Sequence, residues 1–165
     1  MSGGTVEMEP HFYPDGIEDV TYYYQGSYTR SVDDNGRFNL PFRFRRSGGS
    51  AGDEKFVLTE GPDRILCLMP HTEWLRAFKR MRRQGLDARR RQELRRQSHN
   101  SEVLTPDNQG RIKVPPAVLE SFGIGEKVLV MGMGHYLELW NPNKHADHQS
   151  SLAEPDQDFM NAFFG

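Results

Sequence analysis

The chain has 165 residues, a net charge of -2 and a hydrophobic fraction of 36%, which suits one domain or two very small ones. Its longest apolar runs, at 65–69 and 128–131, are far shorter than the roughly 20 residues that a membrane span needs. A single cysteine excludes an internal disulfide framework and a multi-cysteine metal site. Residues 1–20 carry five acids and no base, unlike a secretory signal, so we expect a soluble, cytoplasmic protein.

The first half of the chain predicts strand, turn, strand, short helix, strand and strand. Residues 22–29 have the aromatic and β-branched bias of a strand. A turn is predicted at 33–36, because glycine takes the positive-φ position and an aspartate side chain bonds back to the loop amides. Alternating apolar residues at 38–40 then form a half-buried strand, which Pro41 ends. Two further strands, near 54–58 and 66–70, follow with a hairpin turn at 60–63.

A helical hairpin is predicted next, and it connects the two halves. Thr72 can cap a helix that carries Trp74, Phe78 and Met81 at helical spacing. Gly85 interrupts this helix, and residues 86–97 continue as a second, arginine-rich one.

The second half repeats the order of the first. It has a turn at 107–110, a strand at 112–114, a helix at 117–122 that ends at Gly123, and strands at 126–130 and 137–140. The polar segment that follows ends in four apolar residues, Phe159, Met160, Phe163 and Phe164, which a short helix would gather on one face. They would either dock on the core or a neighbouring subunit, or form a frayed end.

The charges are strongly segregated along the chain. Residues 76–96 hold ten bases and two acids, so this block carries +8 and the rest of the chain carries -10. Residues 30–46 hold five arginines, whereas residues 1–29 and 145–165 are acidic. A polyanion responds to a local patch rather than to the mean charge, so this distribution favours a nucleic-acid partner.

The two halves are a tandem repeat. Both contain Asp-x-x-Gly-Arg, apolar, x, apolar, Pro, at 33–41 and again at 107–115, with an offset of 74 residues. The chain is therefore divided into an acidic tail (1–21), a first repeat (22–71), an arginine-rich helical connector (72–98), a second repeat (99–145) and a polar tail with an apolar end (146–165).

Residues 24–43 resemble the opening of the MraZ family of bacterial transcriptional regulators. Residues 107–115 and Leu137-Glu138-Leu139-Trp140 resemble its second repeat, and residues 116–128 resemble the AbrB-type swapped-hairpin fold. The resemblance covers about residues 22–145. It implies an α+β, β-rich fold in which two β-β-α-β-β half-units, related by a pseudo-twofold axis, close one small swapped-hairpin barrel and are joined by the helical hairpin.

The resemblance also implies a function. The expected function is sequence-specific regulation, as a repressor, of the division and cell-wall gene cluster, through direct repeats in double-stranded promoter DNA. Rings of about eight to twelve identical subunits are expected, in a cytoplasmic, nucleoid-associated protein without cofactor, membrane or small-molecule substrate.

Arg37 and Arg111 are the residues that the resemblance places at the DNA, and Asn35, Gln109 and Lys113 flank them. An arginine offers a planar fork of donors that suits guanine or phosphate. The alternative for both arginines is an ion pair with the aspartate of the same motif. Four motif residues are assigned to holding the loops: Asp33, Gly36, Asp107 and Gly110.

Other features admit plainer interpretations. The arginine block at 76–96 is a phosphate-binding face, a solvated helix face or a partner for acidic tails. His145, Asp147 and His148 lack a further ligand, so no metal site is predicted. Cys67 fits a buried strand thiol, and no catalytic residue set is visible. An oligomeric scaffold and an AbrB-like antitoxin remain the rival functions.

Overall fold

The computed structural model describes residues 24–45 and 55–165, which form a mixed α+β architecture built on antiparallel strands. The strands are β1 Ser27–Ser31, β2 Arg37–Asn39, β3 Phe56–Glu60, β4 Leu66–Pro70, β5 Glu102–Leu104, β6 Arg111–Lys113, β7 Lys127–Gly132 and β8 Leu137–Trp140. The helices are α1 His71–Arg83, α2 Ala88–His99, α3 Pro116–Ser121, α4 Pro142–Ser151 and α5 Gln157–Phe164. Two short 3-10 helices lie at Phe42–Phe44 and Pro62–Arg64.

The strands of the two repeats interleave with pseudo-twofold symmetry. One sheet has the order β1-β7-β8-β4-β3-β5, and a second sheet consists of β2 and β6. The counterparts in the two repeats are β1 and β5, β3 and β7, and β4 and β8. When each strand of the larger sheet is replaced by its counterpart, the same order results, read from the opposite edge. The β2–β6 register is centred on Phe38 opposite Ile112, and the β4–β8 register on Cys67 opposite Glu138. Because 38 and 112 are equivalent repeat positions, the symmetry axis passes between them.

The larger sheet is not closed by hydrogen bonds within the described residues. Its order begins at β1 and ends at β5, so the predicted barrel is not formed as one continuous ladder. Turns at Asp33 and Asp107 redirect the chain after β1 and β5, with Asp33 N–H bonded to Arg37 O and Asp107 N–H to Arg111 O. The short strands β2 and β6 consequently pair with each other instead of extending the sheet.

A single core joins both sheets. Its buried side chains include Phe38 and Ile112 from the smaller sheet and Phe56, Leu68 and Val130 from the larger one. Burying an apolar side chain of this size contributes about 1.5–3 kcal/mol. In the part of the chain that the structure describes, both repeats therefore contribute to one shared interior.

The two predicted connector helices are present, but the residue that caps the first one is Pro70 and not Thr72. Pro70 ends β4 and takes the N-cap position of α1. Gly85, with φ of +87°, separates the two helices, and the Asp87 carboxylate caps α2 by accepting the N–H of Arg90 at 2.8 Å.

The segment after residue 145, predicted to be a tail, forms helical structure. Asn141 caps α4 by accepting the N–H groups of Asn143 and Lys144, and Pro142 occupies its first turn. Asp156 caps α5 by accepting the N–H of Phe159, so the four apolar residues at the chain end lie in a short helix. No helix in residues 24–45 and 55–165 is long and apolar enough to cross a membrane.

Some predictions fall outside the described residues. They concern the acidic tail at 1–21, the strand residues Tyr22 and Tyr23, and Glu54 at the start of a strand. In the described part, Tyr24 forms an isolated bridge with Gly134, and the first continuous strand begins at Ser27.

Candidate nucleic-acid interface

Each Asp-x-x-Gly-Arg motif folds into the same hydrogen-bonded turn. Asp33 Oδ1 accepts the N–H groups of Asn35 and Arg37, both at 2.9 Å. In the second motif, Asp107 Oδ1 accepts the N–H groups of Gln109 and Arg111, also at 2.9 Å. An aspartate followed by a short turn satisfies loop amides in this way without a strand partner.

The two motif glycines connect each turn to the opposite repeat. Gly36 and Gly110 have φ of +82° and +73°, a region that favours glycine. The carbonyl of Gly36 accepts the N–H of Val114 at 3.0 Å, and the carbonyl of Gly110 accepts the N–H of Leu40 at 3.2 Å. Each turn is therefore anchored at the end of the partner repeat's short strand.

Both motif aspartates are held in their ionised form. Hydrogen bonds lower the pKa of Asp33 from its ordinary value, the largest contribution coming from the backbone N–H of Arg37. The pKa of Asp107 is lowered mainly by the backbone N–H of Arg111, with a further contribution from the Arg111 side chain. Protonation of either carboxyl would weaken its turn.

The outward face of the β2–β6 pair carries a cluster of polar and basic side chains. Phe38 and Ile112 point into the core with exposures of 1% and 0%, so the residues on either side of them point outward. In the register, Arg37 lies opposite Lys113 and Asn39 lies opposite Arg111. We call these four residues the ribbon face. Side chains directly opposite in an antiparallel pair lie about 4.5–5.5 Å apart at Cβ, so three cations and one amide share a small area.

The two arginines of the ribbon face differ in their contacts. Arg111 Nε lies 2.7 Å from Asp107 Oδ2, and both side chains are about one-third exposed. The alternative of an ion pair within the motif therefore describes Arg111. In residues 24–45 and 55–165, the Arg37 guanidinium has no hydrogen bond or ion pair. Arg111 still has terminal nitrogens that can donate elsewhere, because only its Nε faces the aspartate.

The remaining predicted contacts lie on the ribbon face or beside it. Asn35 and Gln109 are exposed in the two turns, and Lys113 is exposed at the end of β6. Sequence reasoning missed Asn39, which is the first-repeat counterpart of Lys113 and shares its exposed face. The offset between the repeats could have identified Asn39, because Asn39 lies 74 residues before Lys113.

Comparison with known proteins gives the family. The family model described as "MraZ protein, putative antitoxin-like" matches residues 23–97 and again residues 99–162. The chain belongs to the MraZ family.

Curated relatives of the MraZ family align with most of the chain. The transcriptional regulator MraZ of Thermomicrobium roseum is 32% identical over 129 residues, which cover 78% of this chain and 88% of the relative. The transcriptional regulator MraZ of Syntrophomonas wolfei subsp. wolfei is 34% identical over 134 residues, covering 78% and 91%. That of Anaeromyxobacter sp. strain Fw109-5 is 31% identical over 143 residues, covering 85% and 97%.

The arginine block of this MraZ-family chain is divided between structural and exposed residues. Arg90 donates to the carbonyls of Gln84 and Gly85 at 2.7 and 2.9 Å, and Arg91 donates to the carbonyl of Leu86. These two arginines therefore stabilise the turn between α1 and α2. Other bases of the block, including Lys79, Arg82 and Arg83, are exposed along the helices.

The histidines and the cysteine have structural surroundings. The rings of His145 and His148 pack on Trp140, with centroid distances of 5.2 and 5.3 Å. Burial raises the pKa of Cys67 to about 12, and the nearby Glu138 carboxylate adds to the shift. Within the described part of the chain, no three His, Cys, Asp or Glu residues are grouped as metal ligands.

Proposed function

We propose that this protein is a DNA-binding transcriptional regulator that contacts DNA with the ribbon face. The observation that carries the proposal is the cluster of Arg37, Arg111 and Lys113 on an outward two-stranded ribbon, held by two matching turns. A two-stranded β-ribbon fits the major groove of B-DNA, and arginine is suited to guanine or phosphate. The regulator names of the relatives support the same function.

Base reading falls mainly to Arg37 in this proposal. Its guanidinium is not held by a described carboxylate, whereas Asp107 holds the guanidinium of Arg111. Arg111 and Lys113 supply phosphate contacts, with Asn35, Gln109 and Asn39 at the edges. The aspartates Asp33 and Asp107 do not face DNA directly, because a phosphate would repel a carboxylate.

The finer expectations are part of the proposal. The protein represses the division and cell-wall gene cluster and is associated with the nucleoid. Interleaving of the strands of the two repeats supports the swapped-hairpin relationship that we propose for the two half-units. A ring of about eight to twelve subunits would present ribbon faces in one rotational sense, which favours direct repeats in the promoter. We propose no catalytic activity.

The test is a salt-titrated DNA-binding assay on the promoter upstream of the protein's own gene. Wild type, Arg37→Ala and the matched control Arg64→Ala are compared on this promoter and on scrambled DNA. Arg64 is also an exposed arginine, but it lies in the β3–β4 connection. We expect Arg37→Ala to weaken specific binding by about 10- to 100-fold, as the loss of an arginine–guanine contact does, and the control to stay within about twofold.

The outcomes separate the possible functions. Equal weakening by both substitutions would refute the role of the ribbon face in reading sequence. Equal, salt-sensitive binding of promoter and scrambled DNA would indicate phosphate contacts alone. No binding at low salt would reject DNA binding and favour the oligomeric scaffold.

A further inference from the structure

Helix α2 and the ribbon face lie on opposite sides of the larger sheet. Leu58 and Thr59 are neighbours in β3, so their side chains point to opposite faces of this sheet. The Leu58 side chain belongs to the core that it shares with Phe38, whereas the Thr59 hydroxyl accepts a hydrogen bond from Gln97 Nε2 of α2 at 2.6 Å. Packed sheets lie about 10 Å apart and a helix is about 10–12 Å wide, so roughly 20 Å of protein separates α2 from the ribbon face.

One side of α2 is attached to the sheet, and the other side carries most of its arginines. Arg90, Leu94 and Gln97 are partly buried, and their helical spacing places them together on the side that faces the sheet. The exposed arginines of α2 are Arg89, Arg91, Arg95 and Arg96. We call these four residues the α2 arginine face. Because Gln97 is bonded to Thr59, this face points away from the domain.

The charge of the α2 arginine face is only partly neutralised in the described part of the chain. Arg96 lies 3.3 Å from Glu93, the one acid of α2, and both side chains are more than half exposed. Arg91 donates to a backbone carbonyl in the preceding turn. Within residues 24–45 and 55–165, the guanidinium groups of Arg89 and Arg95 have neither a hydrogen bond nor an ion pair. These two groups are available to a partner outside the chain.

The same arginines are unfavourable for the helix that carries them. Arg89 is the second residue of α2, and a cation in the first turn opposes the helix dipole. Arg91 and Arg95 are one helical turn apart, where like charges destabilise a helix. Residues that break local rules without a structural gain are typical of functional sites. A bound polyanion would remove both costs.

The composition of α2 favours duplex DNA as this polyanion. A helix face that is merely solvated alternates acids and bases, whereas α2 has five arginines, no lysine and one acid. The planar guanidinium fork suits phosphate oxygens better than an ammonium group does. α2 contains no Phe, Tyr or Trp on which unpaired bases could stack, so it offers little to a single strand.

We propose that the α2 arginine face binds the phosphates of a second DNA duplex while the ribbon face holds the first. A straight duplex on the ribbon face does not reach α2, because the core and the larger sheet lie between them. One subunit therefore connects two DNA segments, the promoter through base contacts and another segment through phosphates alone. The inference adds a second site to the proposed function, and this site does not require sequence reading by the ribbon face.

The second site is measured by binding of scrambled duplex DNA over a salt series, with the full-length chain in an Arg37→Ala background. Arg89→Gln/Arg95→Gln is compared with Arg64→Gln/Lys144→Gln, which removes the same charge from two exposed residues outside α2. Each lost phosphate contact lowers the slope of log K against log salt concentration by about 0.9, so we expect a decrease of about 1.8 for the α2 pair and none for the control. The melting temperature should not fall in the α2 variant.

The connection of two duplexes is tested by capture. Promoter DNA is immobilised, saturated with protein and washed, and a labelled scrambled duplex is then added at low salt. We expect wild type and Arg64→Gln/Lys144→Gln to retain the second duplex. Arg89→Gln/Arg95→Gln should still bind the promoter but retain little of the second duplex. Labelled single-stranded RNA of the same length is tested in parallel.

Three results would overturn the proposal. Full capture by Arg89→Gln/Arg95→Gln would show that a second ribbon face holds the added duplex. An unchanged salt slope in this variant would show that its arginines are solvated or pair with acidic segments of the assembly. Stronger capture of the RNA than of the duplex would assign the face to a different ligand. Absence of promoter specificity in wild type would instead reject sequence reading by the ribbon face, and the salt series would still measure the α2 site.

Discussion

Substitution of alanine for Gly36 should destabilise the fold through its contact with the opposite repeat. At φ of +82°, a residue with a Cβ costs about 1–2 kcal/mol more than glycine. The added Cβ would lie 1.9 Å from the carbonyl oxygen of Val114, so the turn must move away from β6. That movement weakens the hydrogen bond from Val114 N–H to Gly36 O, which contributes about 0.5–1.5 kcal/mol. The expected loss is about 1.5–3.5 kcal/mol in total.

Gly110→Ala is the matched control, because the same motif position has different surroundings. A Cβ on Gly110 would meet the Arg45 guanidinium, at 2.5 Å from Cζ, and this flexible side chain can move aside. Moving Arg45 strains its hydrogen bond from Nε to the carbonyl of Leu40, but the guanidinium can shift while the backbone of Val114 cannot. The loss should therefore be nearer the backbone cost of about 1–2 kcal/mol and smaller than that of Gly36→Ala. Urea unfolding followed by circular dichroism compares wild type, Gly36→Ala and Gly110→Ala at one protein concentration. Equal losses in the two variants, or a larger loss for Gly110→Ala, would refute the reasoning.

Three further predictions follow from the described contacts. The lowered pKa values of Asp33 and Asp107 supply stability that is present above their unfolded pKa, near 3.8, and is lost as pH falls through the lower folded values. The free energy of unfolding of the double variant Asp33→Asn/Asp107→Asn should therefore depend less on pH below about 4 than that of wild type. The same pH dependence in both proteins would contradict a stabilising role of the two ionised aspartates. Cys67, buried and with its pKa raised to about 12, should resist a thiol reagent at pH 8 until urea unfolds the chain; rapid labelling of the native protein would contradict this. Thr59→Val removes the buried hydroxyl that accepts from Gln97 Nε2 at 2.6 Å, and it should cost about 1–2 kcal/mol in urea unfolding; an unchanged midpoint would show that this anchor of α2 contributes nothing.

Local patterns predicted most elements of the fold. Period-two alternation identified β2 and β6, and Gly85 marked the end of α1, whereas the 159–164 spacing left a short helix and a frayed end both open. These features depend on neighbours within a few residues, where backbone preferences and side-chain period act directly. Helix α4 was missed because its sequence is polar, and its stability comes from the Asn141 cap and from packing of His145 and His148 on Trp140.

The repeated motif alone determined that two equivalent turns exist and that each presents an arginine. Their aspartates and glycines predicted the turn geometry, since these residue types satisfy loop amides and positive φ locally. Only the tertiary structure decided that β2 pairs with β6, which places Arg37, Asn39, Arg111 and Lys113 on one face. It also decided that Arg111 is held by Asp107 while Arg37 is not held by a described carboxylate. Strand pairing between positions 74 residues apart depends on the shared core that closes over Phe38 and Ile112, and no pattern within either repeat contains that information.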